Sequence, residues 1–236
     1  MSEIQIKSHD HNQFSAYMAM PEQTPAPCII LIQEIFGVNE EMRRKCDDYA
    51  AKGYVAIAPD LFWRLERDVR LTDKTQEEWD KAFDLMNRFD IDLGIKDLDS
   101  TLEAMLSADY VNGHAGCIGY CLGGKLSFLM ACRTNVDAAV SFYGVGLEGL
   151  LGEAENIRNP VLIHIAEEDQ FVSKDAQEQI KAGLAANPQV QVYSYPGVNH
   201  AFARGQGQHY DENAATLANS RTEEFLYQKL KRTEAA

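Results

Sequence analysis

Six short apolar runs punctuate the chain: PCIILIQ at 27–33, GYVAIAPD at 53–60, HAGCIGY at 114–120, AAVSFYG at 138–144, PVLIHIA at 160–166 and QVQVYSY at 189–195. Each is apolar on both faces, and stretches of helical periodicity lie between them. That is the pattern of parallel strands covered by helices on both sides. The leading segments IQIKS and QFSAYMAM alternate apolar and polar positions and predict an antiparallel hairpin at the sheet edge. The expected fold class is α/β: a doubly wound, mostly parallel sheet flanked by helices, with an antiparallel N-terminal edge.

Residues 61–92 interrupt the alternation, because the strand ending at Asp60 is followed by polar chain before any helix. Thr75 and Glu78 have capping-box spacing, and Trp79, Phe83, Met86 and Phe89 then recur at helical intervals. This segment is expected to be a small excursion over the end of the sheet. A second helix carries Ile91, Ile95, Leu98, Leu102 and Met105 back toward the strand at 114. The tail KLKRTEAA is expected to be a frayed helix end. No repeat or low-complexity linker divides the 236 residues, so a single domain over 1–236 is expected.

Charge and cysteine usage narrow the function. A formal net charge of −14 repels nucleic acid over most of the surface. The N-terminus lacks a signal-peptide pattern and no apolar run has transmembrane length, so a cytoplasmic protein with no membrane partner is expected. The five cysteines, at 28, 46, 117, 121 and 132, form no regular framework and read as reduced thiols.

One cysteine stands apart. In GYCLGGKLSF, Gly119 and Gly123 flank Cys121 at the junction of an apolar run and a helical run, the spacing of a nucleophile elbow with Cys in place of Ser. The helix that follows would aim its N-terminal amides, Leu122 first, at the sulfur and favour thiolate. A glycine-rich turn with a buried, inert cysteine fits the same letters, and the motif alone leaves both readings open. Partners weigh on the choice. Asp169 follows PVLIHIA and His200 follows QVYSY, in the chain order nucleophile, acid, histidine, each at a strand C-terminal end where open α/β sheets bind ligands. Glu167 and Glu168 compete for the acid role, and the shorter Asp169 is favoured. Of the six histidines, His9, His11 and His209 lie in polar terminal segments, His114 precedes a strand and His164 lies within one. His9 and His11 are too isolated to argue for a metal. In the loop QEIFGVN, Glu34 follows a strand and the Ile35 amide could join that of Leu122 in an oxyanion hole. Arg204 could pair with Glu34 or with an anionic substrate group.

Taken together, QEIFGVN, PDLF, GYCLGGKLSF, YGVGLE, ANPQVQVYSYPGVNHAFAR and ALANSRTEEFL resemble the dienelactone hydrolase family over nearly the whole chain. The resemblance implies the α/β-hydrolase fold over 1–236, with 61–92 a small cap-like excursion. It implies hydrolysis of enol-lactones and related esters, without metal or cofactor, by a Cys-His-Asp triad. Matched motif to motif, Cys121 is the nucleophile, His200 the base and Asp169 the acid. Glu34 matches a glutamate that helps generate the thiolate, and Arg204 an arginine that binds a substrate carboxylate. Phe36 is placed with the substrate-binding residues. This chain departs from the family at four of those: Trp79 stands where a second arginine is expected, Phe83 where a tyrosine, Met86 where a tryptophan and Ala201 where a serine. Loss of the guanidinium and of the serine hydroxyl removes charge-assisted contacts to a carboxylate, worth about 1.5–3 kcal/mol each, and puts preference for an anionic lactone in question.

The expectation is therefore a monomeric hydrolase of small-molecule esters or lactones. The alternatives are a carboxylesterase for neutral esters and a non-catalytic binding protein on a hydrolase fold. GVGLEG at 144–149 fits a dinucleotide-binding fingerprint, but the chain before the next strand is too short and polar for the crossover helix that role needs. A redox role is disfavoured because neither Cys117 nor Cys121 belongs to a C-x-x-C pair.

Overall fold

The computed structural model describes residues 2–231. The expected fraying over KLKRTEAA lies outside the described residues from Arg232 onward. Eight strands form one sheet: β1 (Ser2–Lys7), β2 (Gln13–Ala19), β3 (Ala26–Ile32), β4 (Val55–Pro59), β5 (Val111–Tyr120), β6 (Ala138–Phe142), β7 (Val161–Ala166) and β8 (Val190–Tyr195). Their order is β1-β2-β4-β3-β5-β6-β7-β8. The β1–β2 and β2–β4 pairs are antiparallel, whereas β3–β4, β6–β7 and β7–β8 are parallel. Helices α1 (Glu40–Ala51), α2 (Gln76–Arg88), α3 (Ile91–Leu106), α4 (Leu122–Arg133) and α5 (Lys174–Leu184) lie between strands, and α6 (Glu212–Leu226) follows the last. The architecture is the α/β-hydrolase fold, mostly parallel with an antiparallel N-terminal edge. No helix among the described residues is long and apolar enough to cross a membrane.

By internal contacts the chain divides between Cys117 and Ile118 into two compact units. In the first, β3 and β4 are buried along their whole length, which is why their sequences run apolar without alternation. Asn39 caps α1 by accepting from the Met42 amide at 3.2 Å, and Glu40 and Glu41 follow in the first turn where the helix dipole favours them. The excursion after β4 is pinned to α3 by Asp97. This buried carboxylate accepts from Trp63 Nε1 at 2.8 Å and from Arg64 Nε and Nη2 at 3.0 and 2.8 Å.

The start of α2 differs in detail from its sequence pattern. Thr75 Oγ1 accepts from the Glu78 amide at 3.2 Å, as in a capping box. The Glu78 carboxylate instead reaches back to Thr72, taking its amide at 2.8 Å and its hydroxyl at 2.6 Å. The bend before the helix offers that second pair of donors, so the box closes one turn early. The buried face of α2 is Ala82 and Leu85, and Phe83 of the aromatic stripe is exposed.

In the second unit, α4 is the most deeply buried helix by sequence and position, with Leu126, Phe128, Leu129 and Met130 all enclosed. Strand β8 lies at the sheet edge and is only half-buried. After β6 the GVGLEG segment enters a 3₁₀ helix, Leu147–Asn156, in place of a long crossover helix.

Candidate active site

The second unit brings together the three residues singled out as nucleophile, acid and base. Cys121 follows β5 directly, with φ 57° and ψ −115°, a conformation that costs a side chain of L configuration on the order of 1–3 kcal/mol. Two backbone bonds hold it there: the Cys121 amide donates to Phe142 O at 3.0 Å, and the Lys125 amide donates to Cys121 O at 3.2 Å. Gly119 has to be glycine, because a Cβ there would lie 1.8 Å from Gly123 O. Gly124 lets α4 pass β6, since its Cβ would meet Phe142 O at 2.7 Å. The turn thus delivers the cysteine to the start of α4, where Leu122 contributes one of the amides that a helix leaves without an intrahelical partner.

The acid and base lie on the loops after β7 and β8. Asp169 Oδ2 is 2.8 Å from His200 Nδ1, with both side chains almost wholly buried. The other carboxylate oxygen, Oδ1, accepts from the Phe171 amide at 2.8 Å. This turn fixes the carboxylate plane before the histidine meets it. Of the neighbouring acids, Glu168 is exposed and paired with Lys174 at 2.9 Å. The His200 ring is flanked edge-on by Tyr143, at 5.0 Å between centroids, and by Phe171, at 4.8 Å.

His200 Nε2 is buried and meets no nitrogen or oxygen partner; the group acting on the ring beside Asp169 is the Cys121 sulfur. Burial pulls the His200 pKa down. The charge of Cys121 and the hydrogen bond that His200 donates to Asp169 outweigh it, and the pKa is pushed up to about 10. The imidazolium form of His200 is thereby favoured. Elsewhere burial dominates: alone it pushes the Cys28 thiol up, and against the opposing charges of Arg43 and Arg133 it still raises Cys46, and Cys132 to about 12, which keeps them protonated and inert.

Ala201, after the base, is buried with φ 63°, and Arg204 is half-exposed with its stem against Gly207. The remaining candidates belong to the first unit and form their own group. Glu34, Ile35 and Phe36 are buried just past β3. The loop is fixed by Gln33, whose Oε1 accepts from the Leu61 amide at 3.1 Å. Phe36 packs edge-on against Trp79 at 5.0 Å, and Trp79 stacks on Phe83 at 5.5 Å, while Met86 is half-buried one turn on. Trp79 Nε1, the only donor of that side chain, is committed to Asp73 O at 3.0 Å.

Sequence reasoning passed over Phe171, Tyr143 and Asn199. Phe171 stands two residues after an aspartate, the position whose amide an Asx turn captures, and that spacing was a usable signal. Tyr143 offered none, since an aromatic at the end of a buried strand reads as core.

Comparison with known proteins gives a consistent result. A model of the dienelactone hydrolase family matches residues 14–230. A protein of Azospirillum brasilense named "Putative carboxymethylenebutenolidase" is 50% identical over 98% of this chain and 100% of its own length. The carboxymethylenebutenolidase of Pseudomonas putida is 39% identical over 94% of each chain. Among solved structures, one described as a "Putative Dienelactone Hydrolase" from Klebsiella pneumoniae superposes with a TM-score of 0.85 at 29% identity, covering 96% of this chain and 98% of its own.

Proposed function

Since this chain belongs to the dienelactone hydrolase family and is thus a hydrolase of ester and lactone bonds, we propose that it acts through Cys121 and a thioester intermediate. The observation that carries this reading is the buried relay of Cys121, His200 and Asp169, with the His200 pKa raised by the Cys121 charge. The proposed cycle starts from Cys121 as the thiolate and His200 as the imidazolium. Sγ attacks the ester carbonyl, and the oxyanion takes the Leu122 amide. Collapse breaks the carbon–oxygen bond, and the leaving oxygen takes the proton from His200 Nε2. Neutral His200 then accepts a proton from water as that water attacks the thioester. Release of the acid restores thiolate and imidazolium. Asp169 holds the ring orientation throughout. The family resemblance adds Glu34 in thiolate formation and Arg204 on a substrate carboxylate, and Ile35, on the loop after β3, is proposed as a second oxyanion amide. A nucleophilic thiol suits a reducing compartment such as the cytoplasm, and the enzyme is proposed to work there as a monomer on small molecules.

A second substrate class has a specific observation in its favour. Where an arginine would anchor a carboxylate, Trp79 offers one donor, and Asp73 O already occupies it. Neutral esters therefore fit this chain better than anionic lactones. The test is the initial rate of ring opening of a dienelactone by wild type and Cys121→Ala, with a neutral aryl acetate alongside. Cysteine-dependent turnover of the aryl acetate alone supports the neutral-ester reading, and turnover of the lactone reverses it. Activity on either that survives Cys121→Ala removes the cysteine mechanism.

A further inference from the structure

The acid and base loops are tied together by more than the acid–base bond itself. Asp169 and His200 lie 31 residues apart. Between their loops, the Glu167 amide donates to Tyr195 O at 3.0 Å and the Glu168 amide to Val198 O at 2.9 Å. The link nearest the chemistry is a side chain. Asn199 Oδ1 accepts from the Gln170 amide at 3.0 Å and from the His200 amide at 2.7 Å. A single carbonyl oxygen, using both lone pairs, therefore grips the residue after the acid and the main chain of the base.

We propose that Asn199 is a positioning residue for hydrolysis, setting the separation of the two loops at which Asp169 and His200 meet. The proposal rests on the triad reading above. The geometry gives the reason for asparagine. Asp169 is already oriented by its own turn onto the Phe171 amide, and the loop ends are held by Gln177 Nε2, which donates to Glu167 O at 3.1 Å and Val172 O at 2.8 Å. The backbone ties between the two loops stop at Glu168 and Val198, and Asn199 carries them on to the residue after the acid and the main chain of the base. The chain must also turn sharply after His200, since Ala201 has φ 63°, so a fixed His200 amide determines where the ring points. A carbonyl oxygen two bonds beyond Cβ is long enough to reach both amides.

The test uses the full chain with a neutral aryl acetate, and proton NMR of the His200 Nδ1–H, which is held at 2.8 Å from a carboxylate. Asn199→Ala is expected to lower kcat by roughly 10²-fold with KM little changed, as a small misplacement of catalytic groups does, and to weaken the downfield Nδ1 proton resonance. Asn199→Asp keeps the bridging oxygen and is expected to recover most of kcat and retain the resonance. Wild-type kcat in Asn199→Ala overturns the proposal, as does a resonance unchanged in that variant. If Asn199→Ala does not fold, Asn199→Ser carries the same expectation, because its hydroxyl is too short to bridge both amides. Cys121→Ala, run in parallel, separates the readings. Turnover surviving there overturns the cysteine mechanism, whereas the Nδ1 resonance judges the clamp independently of substrate.

Discussion

His200 occupies surroundings that ought to keep it neutral. Its ring is buried between Tyr143 and Phe171, and burial alone disfavours an imidazolium. The charge of Cys121 leads the contributions that reverse this, followed by the Asp169 hydrogen bond. Removing the sulfur should therefore move the histidine more than removing any neighbour of similar size. In Cys121→Ala the His200 titration, followed by imidazole NMR, is expected to shift down from about 10; an unchanged midpoint would show that the sulfur carries no charge in the resting enzyme. Asp169→Asn tests the other side of the ring. It leaves an amide where Nδ1–H needs an acceptor oxygen, and a kcat loss of roughly 10⁴ on the aryl acetate is expected, as for other triads. A loss below tenfold would hand the acid role to another group.

Among the elements, the turn between β5 and α4 is the one most tightly specified by covalent geometry. Gly119→Ala would drive a methyl to within 1.8 Å of Gly123 O, backbone that cannot swing aside. A loss of roughly 2–4 kcal/mol is expected in the urea midpoint, together with loss of activity. Gly149→Ala in the 3₁₀ helix has nothing within 4 Å of the added methyl and should leave both unchanged. Equal stability of the two variants would mean that the elbow relaxes. The contrast also explains what was legible beforehand. The elbow announces itself because two glycines at fixed spacing have a steric cause, and the buried strands β3, β4 and β7 do so because both of their faces are covered. Helical spacing did not single out the buried contact of α2, which Ala82 and Leu85 make beside the conspicuous aromatics Trp79 and Phe83. The Asn199 bridge left no trace in any pattern, because it depends on two loops meeting that only the sheet order brings side by side.

For the molecule as a whole, the response of stability to acid exposes a histidine that catalysis does not use. His164, inside β7, is fully buried against Phe142 at 4.3 Å between centroids, with Nδ1 2.8 Å from Tyr195 Oη and Nε2 2.9 Å from Thr222 Oγ1. Burial, reinforced by the Arg221 charge, pushes its pKa down to about 3. Between that value and the unfolded 6.5, the unfolded chain binds a proton that the folded chain refuses, so stability falls as pH falls, by up to about 1.4 kcal/mol per pH unit. Asp60 acts in the opposite sense. Burial raises its carboxyl from 3.8 to about 6, so in that window the folded state holds a proton the unfolded state releases, and this contribution to stability is lost as pH rises. The two windows overlap, and the wild-type curve alone mixes them. The difference between wild type and His164→Gln separates them, because Asp60 and the −14 net charge are common to both chains. The variant should be the less stable at pH 7, where it loses packing and hydrogen bonds. Its deficit should then shrink steadily as pH is lowered from 6.5 toward 4, measured as urea unfolding free energies. Parallel curves would mean that His164 takes up its proton in the folded state at the ordinary pH, and that the hydrogen bonds to Tyr195 and Thr222 do not hold it neutral.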